Sequence, residues 1–433
     1  MNLNKKAFVA ISAMALSIGA FAQSGTNSPY SQYGLGVLSD QTSGFNRGMN
    51  GLGIAFREHN QVNHLNPASY SSVDSLTFIF DIGLSGQITN FKEGGRKLNA
   101  NNADFEYAVA AFRAYKNLGV SFGILPYTNI GYSYLSTGKT TTDVSSTYAN
   151  SYYGEGGLHE VYLGFGWCLF KGFSLGANVG YLWGDYTRSV TNSYTDAYAK
   201  SISKIYSANV TSYKLDFGAQ YQLRIDKKNE LTIGATYSLG HKLGADPSCR
   251  VVSTSSATAV SDTASYSIKD GLEIPASISG GLQWNYNNKL KVGIDYNYQG
   301  WGSVSYPVYE VKNNVPTYAL NNQYYKDRHK VTFGGEYCGD ENNRSFLKRL
   351  RVRAGASYAT PYYKINGQDG PSELSLSAGF GIPIVNSYNN RSILNISGQW
   401  VHSSAKNFIT ENTFRINIGL TFNERWFMKW KVE

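Results

Sequence analysis

Charge is scarce in this chain, with only 16% of its 433 residues being Asp, Glu, Lys or Arg; proline (10), methionine (4) and cysteine (3) are scarcer still. Three cysteines, Cys168, Cys249 and Cys338, allow at most one internal pair, so disulfides do not organise the fold. Few methionines and no helical periodicity exclude a helical bundle. No apolar run of about 18 residues occurs after the first twenty or so, which excludes a spanning α-helix there. The formal charge is +9, but its basic groups are short, such as Lys348, Arg349, Arg351 and Arg353. Such groups read as solvated or lumen-facing charges, and no nucleic-acid partner is expected. What is abundant is aromatic and small: 34 Tyr, 21 Phe and 45 Gly. That is too aromatic for a disordered chain and suits many two-faced β-strands.

Lys5 and Lys6 precede an apolar stretch at 7–20, and Ala20-Phe21-Ala22 supplies a small-x-small cleavage site. The pattern is that of a secretory signal peptide over residues 1–22, too short to span a bilayer. No cysteine stands at the new N-terminus, so lipid attachment there is not expected.

From about residue 75 the chain repeats one unit, ten to fifteen residues of strict alternation and then a turn. Val161, Leu163, Phe165, Trp167 and Leu169 share one face, against Tyr162, Gly164, Gly166 and Cys168. Phe173, Leu175, Ala177, Val179, Tyr181 and Trp183 oppose Ser174, Gly176, Asn178 and Gly180. Phe414, Ile416, Ile418, Leu420 and Phe422 oppose Arg415, Asn417, Gly419 and Thr421. Successive side chains point to opposite faces of a strand, so each of these has one apolar face and one polar or tiny face. The apolar faces end in aromatics, as at a bilayer interface. The other faces carry Asp81, Asp295, Glu336, Arg351, Arg353 and Arg415, which suits a wet lumen.

About fourteen such strands can be marked, which predicts an all-β, antiparallel transmembrane barrel over residues 74–423. Short connections fall at 116–117, 171–172, 226–229, 287–289, 339–347 and 386–390. Long ones are expected at 91–104, 136–156, 191–204, 244–273, 302–328, 360–372 and 403–411. Short turns on the periplasmic side and long loops outside are the pattern of outer-membrane barrels. An unpaired backbone group in hydrocarbon costs several kcal/mol, roughly, so the first and last strands must pair. The competing architecture is an exported soluble β-protein, but no blade-length repeat is visible.

Residues 23–73 do not alternate. They contain Gly44-Phe45-Asn46-Arg47, then glycines at 48, 51 and 53, and end in Asn66-Pro67-Ala68 before the first strand. Asn66 is fit to cap a turn, and Pro67 biases it away from helix. Phe45, Met49, Leu52, Ile54, Phe56 and Leu65 suit a compact plug better than a tail. Over residues 44–68 this segment resembles the N-terminal hatch of FadL-type outer-membrane transporters. The resemblance implies a fourteen-stranded barrel with a lumenal hatch, in the outer membrane of a Gram-negative bacterium. It also implies passive passage of a hydrophobic or amphipathic compound, with lateral release at a kink in the third strand. Gly123 and Pro126 are the candidates for that kink, since proline gives the ladder no N–H; a harmless rim bulge is the other reading. Pro383 is a similar interruption in the twelfth strand. Residues 28–36 match nothing in the transporter's N-terminus. A basic-aromatic tail at 424–433 reads as a periplasmic interface anchor or a docking peptide.

The six histidines show no i, i+2 or i, i+4 pair, so no metal site is expected. Neither a Gly-x-Ser-x-Gly elbow nor a βαβ phosphate loop is present, and no enzyme activity or cofactor is expected. The expected partners are outer-membrane lipid and a hydrophobic ligand. The alternative function is a structural or accessory subunit of an outer-membrane secretion or assembly complex, with outer-membrane or periplasmic proteins as partners.

Overall fold

A computed structural model of the chain describes residues 25–139, 147–196, 198–341, 343–385 and 391–424. The leader at 1–22, the turn at 386–390 and the tail beyond Glu424 lie outside these residues. Fourteen strands form the wall, the number the alternation predicts. They are β1 (Phe78–Glu93), β2 (Arg96–Tyr115), β3 (Leu118–Lys139), β4 (Thr147–Phe170), β5 (Phe173–Tyr194), β6 (Lys200–Arg224) and β7 (Asn229–Ser238). The other seven are β8 (Ser277–Tyr286), β9 (Leu290–Gln299), β10 (Arg328–Cys338), β11 (Arg351–Ala359), β12 (Ser372–Val385), β13 (Arg391–Ser404) and β14 (Thr410–Glu424).

Each strand pairs antiparallel with the next. The ring closes between β1 and β14, from Phe78 opposite Glu424 to Lys92 opposite Thr410. Closure leaves neither terminal strand an unpaired edge in lipid. The side chains obey the alternation: Val161, Leu163, Phe165 and Trp167 stay exposed on the outside of β4. Asp81, Asp295, Glu336, Arg351 and Arg353 are buried on the inside, and Arg415 is half-buried there.

Three of the expected long loops are mostly strand. β1 and β2 run on to a two-residue turn at Gly94-Gly95, both at positive φ. β3 continues to Lys139 and β4 starts at Thr147; β5 reaches Tyr194 and β6 starts at Lys200. Above the bilayer neither face of a strand meets lipid, so Asn, Ser and Thr populate both and the alternation that marks strands disappears. The connection at 244–273 holds a hairpin, Ser248–Ser255 and Ser261–Ser267, whose first arm extends the sheet from β6. The connection at 302–328 holds another, Tyr306–Lys312 with Val315–Asn321.

Residues 25–77 bond to the inward faces of strands all round the ring. Arg47 donates to Glu106 in β2 (2.7 Å) and Asn417 in β14 (3.3 Å). Gln41 donates to Glu160 in β4, and Arg57 to Ser174 in β5. Asn50 donates to Ser357 in β11, and Lys330 in β10 bonds Asp40. A segment tied to opposite sides of a closed wall lies within it.

Candidate functional site

The Asn66-Pro67-Ala68 turn seats this segment. Asn66 accepts from the Ala68 N–H (3.1 Å), capping the 3-10 turn Pro67–Ser72. Its amide also donates to the carbonyls of Ile54 (2.8 Å) and Ala219 (3.2 Å), so one buried side chain ties the segment to itself and to β6. The wall beneath is glycine because backbone comes so near. A Cβ on Gly176 would lie 2.3 Å from the Pro67 carbonyl carbon, and one on Gly119 would lie 1.9 Å from the Tyr70 oxygen. Gly166, Gly218 and Gly234 meet the segment at similar range. Arg47 stands apart from this turn, at the end of the short helix Gly44–Arg47.

The inward charges are engaged. Asp81 accepts from the Tyr107 hydroxyl (3.0 Å), and Asp295 from the N–H groups of Gly53 (2.7 Å) and Ile54 (2.9 Å). Glu336 is held by Arg351 (2.8 Å) and Arg353 (2.7 Å), and Arg415 donates to Gln87 (2.9 Å). These residues therefore form several separate contacts around the segment rather than one constellation.

Gly123 and Pro126 fall where the wall is interrupted. β3 pairs with β2 only from Leu118 opposite Tyr115 to Ile124 opposite Ala108. Past that point β2 stays paired to β1 as far as Arg96, and β3 to β4 as far as Lys139. Between residues 96–107 and 125–139 no ladder joins the two, and this break in the wall is the slot. The β3–β4 register shifts at Pro126, and the bend continues across the sheet through Gly157 and Gly184, both at φ +148. On the lumenal side the slot is lined by the chain itself: Val37–Leu38 pairs with Asn129 and Thr128, and Ser39 N–H donates to Tyr127 (3.0 Å). Pro383 opens no such slot. It pairs in register with Ile393 and lies beyond the last β11 partner, Gly381.

Two features escaped the sequence. His64, Glu160 and Asp216 bring donor atoms within 4.8 Å of one another. The Lys214 ammonium sits among them, 2.6 Å from Asp216 and 3.3 Å from Glu160, and supplies the cation itself. Burial, then Lys214, push the His64 pKa down to about 3, so the ring is neutral at ordinary pH. Only the spacing of Lys214 and Asp216 on one strand face hinted at this group.

The second feature is an apolar chamber at the long-loop end, where Ile130, Leu158, Leu182, Trp301, Tyr325 and Tyr362 pack together. It is filled by the segment's own Tyr30 and Leu35. Two cavities of about 180 and 120 Å³ open in the lumen, the second against Tyr30 and Tyr362 of this chamber. Both mix polar and apolar groups and share Ser39, Asp40 and Arg328.

At the short-turn end His59 bonds Asp74 (2.7 Å) and faces Glu341 (3.6 Å). Its pKa is raised to about 9, first by the bond to Asp74 and then by that to Glu341. The raised affinity stabilises this contact fully below pH about 6.5, and the contribution is lost as pH rises through about 9. Hydrogen exchange of residues 57–60 should therefore quicken between pH 6.5 and 9 beyond its intrinsic rise. His59→Gln should remove that excess; an unchanged excess in the variant would refute the assignment.

The closed fourteen-stranded barrel with its lumenal segment has a FadL-like fold. Similar solved structures include the toluene transporter TodX of Pseudomonas putida (16% identity, 91% of this chain and 99% of that one, TM-score 0.60). The Ralstonia pickettii toluene transporter TbuX is similar too (16%, 88% and 97%, TM-score 0.58). So is a Pseudomonas aeruginosa FadL homologue (12%, 89% and 98%, TM-score 0.60). At such identities the likeness shows the fold. None of the curated proteins compared with the chain matches it. The family is given by sequence: the BamG family model matches residues 3–433, and the chain belongs to that family.

Proposed function

We propose that the chain is an outer-membrane channel for passive uptake of a hydrophobic or amphipathic small molecule. In this reading residues 25–77 are the plug, the outer chamber is the ligand's first stop, and the slot between β2 and β3 is the sideways exit into lipid. The interrupted β2–β3 ladder carries the reading, because barrel strands in hydrocarbon otherwise pair throughout. The likeness to toluene transporters supports it. The test is a disulfide across the slot lining, Leu38→Cys with Thr128→Cys, with Cys168, Cys249 and Cys338 changed to Ser. Toluene uptake into proteoliposomes should stop on oxidation and return on reduction. Equal uptake in both states would reject the exit.

A second reading, an accessory subunit of an outer-membrane secretion or assembly complex, is favoured by one observation: the chamber is occupied by Tyr30 and Leu35 of the chain itself. Extraction in mild detergent discriminates. Stoichiometric protein partners, with normal uptake after deletion, would support the subunit; the barrel recovered alone would remove it.

A further inference from the structure

At the short-turn end, three consecutive connections gather basic charge on one flank of the barrel. They are the β6–β7 turn at 225–228, the β8–β9 turn at 287–289 and the β10–β11 connection at 339–350. With Arg224 at the end of β6 they expose six cations: Arg224, Lys227, Lys228, Lys289, Arg344 and Lys348. The other two described turns at this end, 116–117 and 171–172, expose one each, Lys116 and Lys171. Acids in the same stretches are engaged elsewhere. Asp226 accepts from the N–H groups of Lys228 (2.6 Å) and Asn229 (2.7 Å) in its own turn, and Glu341 pairs with Arg351 (2.9 Å).

Backbone bonds hold the three connections side by side. The Asn287 N–H donates to the Lys228 carbonyl (2.6 Å), and the Cys338 N–H to the Lys289 carbonyl (2.7 Å). Neighbouring strands lie about 4.8 Å apart, so successive turns at one end are spaced by roughly 10 Å. Arg349 folds the third connection on itself through the carbonyls of Asn343 (3.0 Å) and Arg344 (3.1 Å). The turns are thereby fixed, while the long side chains remain free.

The same flank carries rings on its lipid-facing side next to these turns. Trp284, Tyr286 and Tyr337 are exposed, and the Trp284 indole donates to Asn229 (3.0 Å). Such side chains settle where hydrocarbon meets headgroups, which puts the turns just beyond them at headgroup depth. Ile225 and Leu347, 65% and 76% exposed, lie among the cations. Lysine and arginine at this depth lay their stems along apolar surface and hold their charge in the polar layer. A soluble partner with an acidic face would need these cations clear of the bilayer, whereas the rings set them level with it. Short turns of such barrels face the periplasm, and the leaflet on that side is phospholipid.

We propose that this flank is a binding site for anionic phospholipid headgroups, with Lys227, Lys228, Lys289 and Lys348 receiving the phosphates. The inference needs the outer-membrane placement, and it holds whether the chain passes a ligand or serves as a subunit.

The test is native mass spectrometry of the purified full chain in detergent with equimolar phosphatidylglycerol and phosphatidylcholine. Retained phosphatidylglycerol should exceed phosphatidylcholine by about fivefold or more, since each lysine near an anionic lipid surface contributes measurably. Changing Lys227, Lys228, Lys289 and Lys348 together to Gln should bring the ratio close to one. Lys116→Gln with Lys171→Gln should leave it as in wild type, and heat-modifiable gel mobility reports that both variants are folded. A ratio near one in wild type overturns the proposal, as does an equal loss in the two variants, which would mean diffuse charge. Displacement of the lipid by inorganic phosphate at unchanged ionic strength would make the site one for free anions and overturn it too. So would a patch variant that keeps its lipid preference but loses a protein partner in mild-detergent extraction, because the surface would then belong to that partner.

Discussion

Arg353→Ala should lower the stability of the folded barrel by about 3–5 kcal/mol, because removing one partner of a buried ion pair leaves the other charge uncompensated. Arg353 is 2% exposed and bonds Glu336 (2.7 Å) and Asn395 (2.6 Å) on the wall, with a longer bond to Gln61 of the lumenal segment (3.4 Å). Its loss strikes the wall and the segment together. The natural comparison is Lys312→Ala, which breaks an exposed pair with Glu310 on an outer hairpin. Exposed pairs contribute roughly 0–1 kcal/mol. Urea unfolding in detergent, followed by tryptophan fluorescence, should show a large shift for the first variant and almost none for the second. Equal shifts would mean that the Glu336 cluster does not hold the structure together.

The second large effect is steric. Gly176→Val should unseat residues 66–68, since even its Cβ would come within 2.3 Å of the Pro67 carbonyl carbon and 2.5 Å of the Ala68 nitrogen. Neither the backbone of the turn nor the strand can yield by such an amount without moving as a unit. Overpacking of this kind costs about 1–3 kcal/mol, occasionally more. The wall ladder through Gly176, opposite Gly166 and Gly218, does not depend on the segment. The barrel should therefore keep its heat-modifiable mobility while trypsin gains access to Arg47 and Arg57. A variant as protease-resistant as the parent would show that the turn is not seated on the glycines.

The wall could be read from the sequence because lipid and lumen impose opposite chemistry on alternate residues, as Phe414 and Arg415 illustrate. The same logic failed above the bilayer, where Asn99, Asn101 and Ser193 sit in strands that have no lipid-facing side. Pro126 could be found as a residue unable to donate to a ladder. That Val37–Leu38 lines the slot depends on contacts between residues about ninety apart. The inward charges were recognisable by position, but their partners were not: Glu336 finds Arg351 and Arg353 on an adjacent strand, while Asp295 takes two backbone N–H groups from the segment. Residues 28–36 were the stretch with no match, and they fill the chamber.

Strands β3 to β6 have 22, 24, 22 and 25 residues, whereas β7 to β11 have between 9 and 11. Only about 9–11 are needed to cross hydrocarbon. At about 3.3 Å per residue and with the usual tilt, the surplus raises one flank roughly 30 Å above the lipid. On the other flank the height comes from connections instead, the hairpins after β7 and β9, which rise to meet the tops of β5 and β6. A large molecule approaching that end would meet continuous sheet on one flank and jointed hairpins on the other, and the break beside β3 lies within the continuous side.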